Sequence, residues 1–173
     1  MQRIPKLMTG WLTGTALLCA MAPSFAHDRV ATALEGYSEV PAVASAATGR
    51  FKASVHATNG FVEYEMSYAG LEGDVRQAHI HLGQRRVNGG IMVFLCQTTF
   101  NPDPTGLAPT CPQSGTVSGT LTAANVIGPT GQGVDATEFG ELVAAIRAGV
   151  AYANVHTTKF PAGELRGQLS NNE

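Results

Sequence analysis

Apolar and polar residues alternate on both sides of Asn59-Gly60, except that the apolar Phe61 directly precedes Val62. The apolar members are Phe51, Ala53, Val55 and Ala57 before the pair, and Val62, Tyr64, Met66 and Tyr68 after it. Successive side chains of a strand point to opposite faces, so each run presents one apolar face. Asn-Gly favours the tight turn of a hairpin. The pattern therefore predicts a β-hairpin that packs one face on a core and leaves the other polar.

Short apolar or Thr/Ser/Gly-rich runs continue along the chain, separated by turn residues, at 30–34, 91–95 and 115–122. One segment has helical spacing instead: it starts at the capping-box-like Asp135-x-x-Glu138 and ends at Gly149. We therefore predict an all-β fold, a β-sandwich or barrel. The single short helix is expected to cover an open end of the strand framework.

Two further predicted strands carry histidines. In residues 77–83, His79 and His81 are two positions apart and so share one face of the strand. In residues 151–157, His156 shares its face with a tyrosine and an asparagine, while alanine and valine residues form the other face. We expect the three imidazoles to point outward from the β-framework.

The segments around these histidines resemble the CHRD domain, which is named after chordin, an extracellular antagonist of growth factors. The resemblance runs from roughly Val30 to Leu169 and implies a secreted all-β module, as in small secreted bacterial proteins of this type. It implies no particular reaction. It is carried by these segments: Leu34-Glu35-Gly36, Glu39-Val40-Pro41, Ala47-Thr48-Gly49, Ala78-His79-Ile80-His81-Leu82-Gly83, Ala148 to Thr157, and Pro161-Ala162-Gly163-Glu164-Leu165-Arg166-Gly167-Gln168-Leu169.

The N-terminus has the features of a secretory signal peptide. Arg3 and Lys6 precede an apolar stretch at 11–21, and Ser24-Phe25-Ala26 is a small-x-small cleavage site. The stretch is too short for a membrane span. We therefore expect residues 1–26 to be a signal peptide, residues 27–173 to be the CHRD domain, and the protein to be periplasmic or secreted.

Charge limits the classes of partner. The chain has 11 lysine and arginine residues against 13 acidic ones. Removal of a signal segment with Arg3 and Lys6 leaves the remainder more acidic, with no basic stripe to neutralise phosphates. Nucleic acid is therefore not an expected partner, and the partner is expected to be an unidentified extracellular or periplasmic one.

Cysteine usage suggests one disulfide. Of three cysteines, Cys19 lies in the predicted signal and only Cys96 and Cys111 follow it. They bracket a loop rich in proline, and an exported protein reaches an oxidising compartment. A disulfide between them would contribute about 3 kcal/mol by chain entropy. A metal-binding cysteine pair is the weaker alternative, because the spacing matches no zinc motif.

Two interpretations of the histidines stay open. If His79, His81 and His156 converge, they form a three-nitrogen site for copper or zinc. Alternatively, they belong to a structural polar network with Glu164 and Arg166, and the protein is an extracellular interaction or matrix module. Copper/zinc superoxide dismutase, an eight-stranded Greek-key barrel, also uses a strand His-x-His. The chain resembles it in architecture, which implies a Greek-key β-sandwich or barrel of roughly eight strands, but the chain has no histidine-rich loop for a second metal.

A binding role is expected rather than catalysis. The serines lie in no nucleophile-elbow context, and the pair Glu63 and Glu65 is interpreted as a solvated strand face. His56 is expected to be inert. His27 would become the mature N-terminus, where its amine and imidazole could chelate copper; the alternative is a frayed terminus.

Overall fold

The computed structural model describes residues 28–170. The fold is all-β, as predicted: eight antiparallel strands form one nearly closed, barrel-like sheet. The elements are β1 Asp28–Glu35, β2 Thr48–His56, β3 Phe61–Ala69, β4 Val75–Leu82, β5 Ile91–Cys96, β6 Gly115–Leu121, α1 Phe139–Arg147, β7 Ala151–Thr157 and β8 Leu165–Leu169.

Strand order around the sheet is β5-β4-β7-β8-β1-β2-β3-β6. The strands β1, β2 and β3 follow one another as hairpins, whereas β7 and β8 are inserted between β4 and β1. This non-sequential pairing is the Greek-key arrangement. It places the two histidine strands, β4 and β7, next to each other although they are far apart in sequence.

The predicted hairpin is the pair β2–β3, whose last ladder pair is His56 with Phe61. The apolar members on β3 are all buried. The turn is longer than the predicted two-residue turn: a 3-10 turn at Ala57–Asn59 precedes Gly60, which has a left-handed φ of 76°. Ala57 therefore lies in the turn rather than in the strand.

A tyrosine on β3 reaches the edge strand β5. The Tyr64 hydroxyl on β3 donates to the Leu95 carbonyl on β5 at 2.5 Å. Gly119 on β6 makes room for it, because a Cβ there would lie 2.7 Å from the Tyr64 hydroxyl. The aromatic side chain thus bridges β3 to β5 beside β6, where the barrel closes.

The single α-helix of the described chain, α1, packs on the barrel core through Leu142 and Ile146, which are fully buried. The predicted start at Asp135 is wrong, because α1 begins at Phe139 with Glu138 as its N-cap residue. The Glu138 carboxylate accepts a hydrogen bond from the Asp135 backbone N–H at 2.8 Å, in the turn before the helix. Gly149 follows the helix with a φ of 67°. No helix in residues 28–170 is long and apolar enough to cross a membrane.

The disulfide Cys96–Cys111 is present, as predicted. The loop that it closes is organised by the buried Asp103, whose carboxylate accepts hydrogen bonds from the backbone N–H groups of Thr105, Leu107 and Ala108. The proline-rich loop is therefore ordered both by a covalent bond and by one acidic side chain.

Candidate functional site

A layer of polar side chains lies on the outer face of β4, β7 and β8, away from the barrel core. His79, His81 and His156 belong to this layer and are only 0%, 7% and 6% exposed. The faces agree with the predicted alternation, and the outer face of these strands is itself buried. Alternation assigns a residue to a face of the sheet and contains no information on whether loops cover that face.

Three loops cover this layer. Residues 83–90 lie over β7 and β8, since Gln168 donates to the Gly83 carbonyl and Tyr152 contacts Gly89. Residues 36–47 join them where Asn88 donates to the Val40 carbonyl. Residues 158–163 form the third loop. The polar layer is thus a second, small core on the outside of the barrel.

The three histidines converge inside this second core. His79 Nδ1 lies 3.2 Å from His156 Nε2. The ring centroids are 5.2 Å apart for His79 and His81, and 5.0 Å apart for His79 and His156. One ring nitrogen from each residue can be chosen so that all three lie within 4.8 Å of one another. The fold therefore brings together the residues that the sequence predicted as a cluster.

Backbone carbonyls determine which nitrogens carry protons. His81 Nδ1 lies 2.9 Å from the Gly89 carbonyl oxygen, and His156 Nδ1 lies 3.0 Å from the Pro161 carbonyl oxygen. A carbonyl can only accept, so both Nδ1 atoms are donors and both Nε2 atoms are unprotonated and carry a lone pair. His79 can then donate a hydrogen bond from Nδ1 to His156 Nε2. The Nε2 atom of His79 is then unprotonated and carries a lone pair.

Two of these lone pairs have no partner in the described chain. The Nε2 atoms of His79 and His81 are buried and make no hydrogen bond. Buried polar atoms are almost always satisfied in proteins, so these two nitrogens are available to a cation or to a hydrogen-bond donor. Histidine ligands of metals commonly donate their other ring N–H to a carbonyl, as His81 and His156 do here.

Burial also keeps the imidazoles neutral. It lowers the pKa of His81 and of His156 to about 4. The pKa of His79 is lowered further, first by burial and then by repulsion from the other two rings. Neutral imidazole is the form that binds a metal, so the cluster needs no deprotonation near neutral pH.

An aromatic residue separates the cluster from a buried cation. The Tyr152 ring stacks on His81, with centroids 4.8 Å apart and planes at 5°. Arg166 Cζ lies 3.5 Å from the Tyr152 centroid. Arg166 donates to Asn88 Oδ1 and to the Val87 carbonyl, and so holds the 83–90 loop. Tyr152 had been assigned to the face of His156, but sequence reasoning gave it no role.

Glu164 and Arg166, predicted as one network with the histidines, have separate partners. The Glu164 carboxylate is buried and accepts hydrogen bonds from Ser45 Oγ, from the Glu72 backbone N–H and from Thr157 Oγ1, each at 2.8 Å. These contacts fasten the 36–47 loop and the chain before β4 to the C-terminal hairpin. Glu164 therefore stabilises the cover of the site on one side, and Arg166 does so on the other.

Glu39 is a site residue that sequence reasoning missed. Its Oε1 accepts a hydrogen bond from Asn154 Nδ2 at 2.5 Å, and burial raises its pKa to about 7, against the opposing effect of Arg166. Gly163 allows this contact, because a Cβ there would lie 2.5 Å from Glu39 Oε1. The only signal was its place in the motif Glu39-Val40-Pro41, which carries no chemistry by itself.

The other candidate residues lie apart from the cluster or outside the described chain. His56 lies on β2, where it stacks on Phe61 and contacts Glu63 at 3.3 Å. Glu63 and Glu65 are exposed, and Glu65 pairs with Lys52 at 2.9 Å. His27 and the predicted signal peptide lie outside the described residues.

Comparison with known proteins identifies one family. The family model described as the CHRD domain matches residues 30–169, nearly the whole described chain. No curated protein and no solved structure matches significantly. The match covers the loops and all three histidine positions as well as the barrel.

Proposed function

Since the chain belongs to the CHRD domain family, we propose that it is an exported binding protein that holds a copper or zinc ion with His79, His81 and His156. The proposed role is binding rather than catalysis. It acts in the periplasm or outside the cell.

The observation that carries this proposal is the orientation of the histidine lone pairs. The carbonyl oxygens of Gly89 and Pro161 accept hydrogen bonds from the Nδ1–H groups of His81 and His156. The Nε2 atoms of these two histidines are therefore unprotonated and carry a lone pair. The Nε2 atoms of His79 and His81 are buried without a partner within the described residues. A bound cation would satisfy both of them at once.

The distances are compatible with a metal after a small rearrangement. Metal–nitrogen bonds of about 2.0 Å around one ion place ligand nitrogens about 3.5 Å apart. One ring nitrogen from each histidine already lies within 4.8 Å of the others. A bound ion would need the rings to move closer, and His156 Nε2 would exchange its contact with His79 Nδ1 for the ion.

Export is supported by two independent features. The sequence has a signal-peptide pattern that ends at Ala26. The disulfide Cys96–Cys111 requires an oxidising compartment to persist. N-terminal sequencing of exported protein should begin at His27; full-length protein that accumulates in the cytoplasm would contradict this part of the proposal.

A metal titration tests the site. Copper or zinc is added to untagged, metal-free wild type and to His79→Ala, His81→Ala and His156→Ala. We expect one ion per chain in the wild type and at least about tenfold weaker binding in each variant, because each loses one of three ligands. His56→Ala is the matched control and should bind like the wild type.

The alternative function has its own outcome. If the wild type binds metal no better than the three variants, the histidines are a structural network and the protein is better explained as an extracellular interaction module. The substitutions should then lower only the stability, by about 1–3 kcal/mol for each lost buried partner.

A further inference from the structure

We infer that the three-histidine site selects monovalent copper over divalent copper and zinc. This inference rests on the proposed metal-binding function and names the ion and oxidation state for the same residues, His79, His81 and His156. It follows from the charge of the ligand set, from the position of Arg166 and from the absence of a fourth ligand among the residues that the structure describes.

The ligand set has no negative charge. The three candidate ligands are imidazoles, and the described chain offers no carboxylate or thiolate together with them. Glu164 is bound to Ser45 and Thr157, and both thiols of Cys96 and Cys111 are in the disulfide. A bound ion therefore keeps its full charge in a buried site. The free energy of burying an ion rises with the square of its charge, so a monovalent ion is strongly favoured.

A second positive charge lies on the far side of Tyr152. The strands β4, β7 and β8 are successive neighbours, and they place His81, Tyr152 and Arg166 in one stack. Together with burial, electrostatic repulsion from Arg166 acts on His81 and lowers the pKa of its imidazole. Electrostatic repulsion from Arg166 is twice as large for a divalent as for a monovalent ion at the same place.

The coordination number also favours the monovalent ion. Zinc in proteins is almost always four-coordinate, and a three-histidine zinc site completes its shell with water. Here the Nε2 atoms of His79 and His81 are inaccessible to solvent, and the Phe94 ring packs edge-on against His79 at 4.3 Å. Cu(I), a d10 ion without a geometric preference of its own, is stable with three nitrogen ligands and no water.

The experiment compares the dissociation constants of Cu(I), Cu(II) and Zn(II) for the untagged, metal-free chain with its disulfide intact. Cu(I) is measured without oxygen, in competition with a chromogenic Cu(I) chelator, and the divalent ions in competition with chelators of known affinity. We expect one Cu(I) per chain and a dissociation constant at least about a hundredfold lower than for either divalent ion. X-ray absorption of the copper form should show three nitrogen neighbours at about 2.0 Å.

Arg166 variants test the electrostatic step. Arg166→Met should reduce the preference for Cu(I) over Cu(II) by about tenfold, because the repulsion that disfavours the divalent ion is removed. Arg166→Lys keeps the charge and should keep the preference. Arg85→Met, which removes an exposed arginine of the same covering loop, is the control and should leave the ratio unchanged. If Arg166→Met fails to fold, the wild-type dissociation constants for Cu(I), Cu(II) and Zn(II) still decide whether the site is selective.

The outcomes separate this inference from the proposed function. Binding of Zn(II) or Cu(II) through the three histidines, as tightly as Cu(I), overturns the selectivity and leaves metal binding intact. Absence of binding by all three ions overturns both. An unchanged Cu(I)-to-Cu(II) ratio in Arg166→Met shows that the guanidinium does not set the preference.

Discussion

Lowering the pH from 7.5 to 5 should destabilise the metal-free protein through its histidine cluster. His81 and His156 have folded-state pKa values of about 4, below the value of about 6.5 in the unfolded chain. The unfolded state therefore binds protons first as the pH falls through 6.5. Stability that is present at neutral pH is lost between about pH 6.5 and 4.

The size of this loss of stability follows from how far the histidine pKa values are lowered. At pH 5, a histidine with a folded-state pKa of about 4 contributes a loss of about 2 kcal/mol. His79, whose pKa is lower still, contributes about the same at this pH. The cluster as a whole should therefore lower the free energy of unfolding by about 6 kcal/mol, which is comparable to the stability of an ordinary domain.

Glu39 acts in the opposite direction. Burial raises its pKa from 4.5 to about 7, so it takes up a proton in the folded state before it does so in the unfolded state. Between pH 7.5 and 5 the protonation of Glu39 raises the free energy of unfolding by about 2 kcal/mol. The net expected loss is about 4 kcal/mol, because three histidines outweigh one carboxyl group.

Urea unfolding of chelator-treated protein at pH 7.5 and pH 5 measures this difference. His156→Gln should reduce the pH-dependent loss by about 2 kcal/mol, and Glu39→Gln should increase it by about 2 kcal/mol. His56→Gln replaces a histidine outside the cluster and serves as the control. Equal stability of the wild type at both pH values, or a His156→Gln loss equal to that of His56→Gln, would refute the reasoning.

Three further predictions concern the framework, each read as the free energy of unfolding in urea. Tyr64→Phe should lose about 1–3 kcal/mol, because the buried Leu95 carbonyl loses its donor where the barrel closes. Gly163→Ala should lose about 2 kcal/mol or more, since its φ is 134° and its Cβ would meet Glu39, whereas Gly131→Ala meets nothing within 4 Å and should be nearly neutral. Reduction of the disulfide should lower stability by about 3 kcal/mol; no change on reduction would contradict its assigned role.

The barrel strands were predictable because their pattern is local. Alternation over 51–68 and the Asn59-Gly60 turn indicated β2 and β3 without knowledge of any other strand. The disulfide was predictable for a different reason, since only Cys96 and Cys111 follow the predicted signal peptide. The strand prediction needs only residues that are close in sequence, and the disulfide prediction needs only the number of cysteines. Neither depends on knowledge of the three-dimensional arrangement.

The burial of the histidine layer was not predictable in this way. Alternation placed His79, His81 and His156 on the correct face, but three loops of irregular structure bury this face. Glu39 lies in one of those loops, and its partner Asn154 is 115 residues away in sequence. Contacts of this kind leave no periodic signal, so sequence reasoning left two interpretations of the cluster open.

Metal analysis of the exported protein tests the central claim most directly. The untagged chain is purified from the periplasm or medium without chelators, and its metal content is measured beside that of His81→Ala and His56→Ala. The account predicts one transition-metal ion per chain in the wild type and in His56→Ala, and none in His81→Ala. Metal-free wild type that also fails to take up one ion when copper is supplied during export would contradict it.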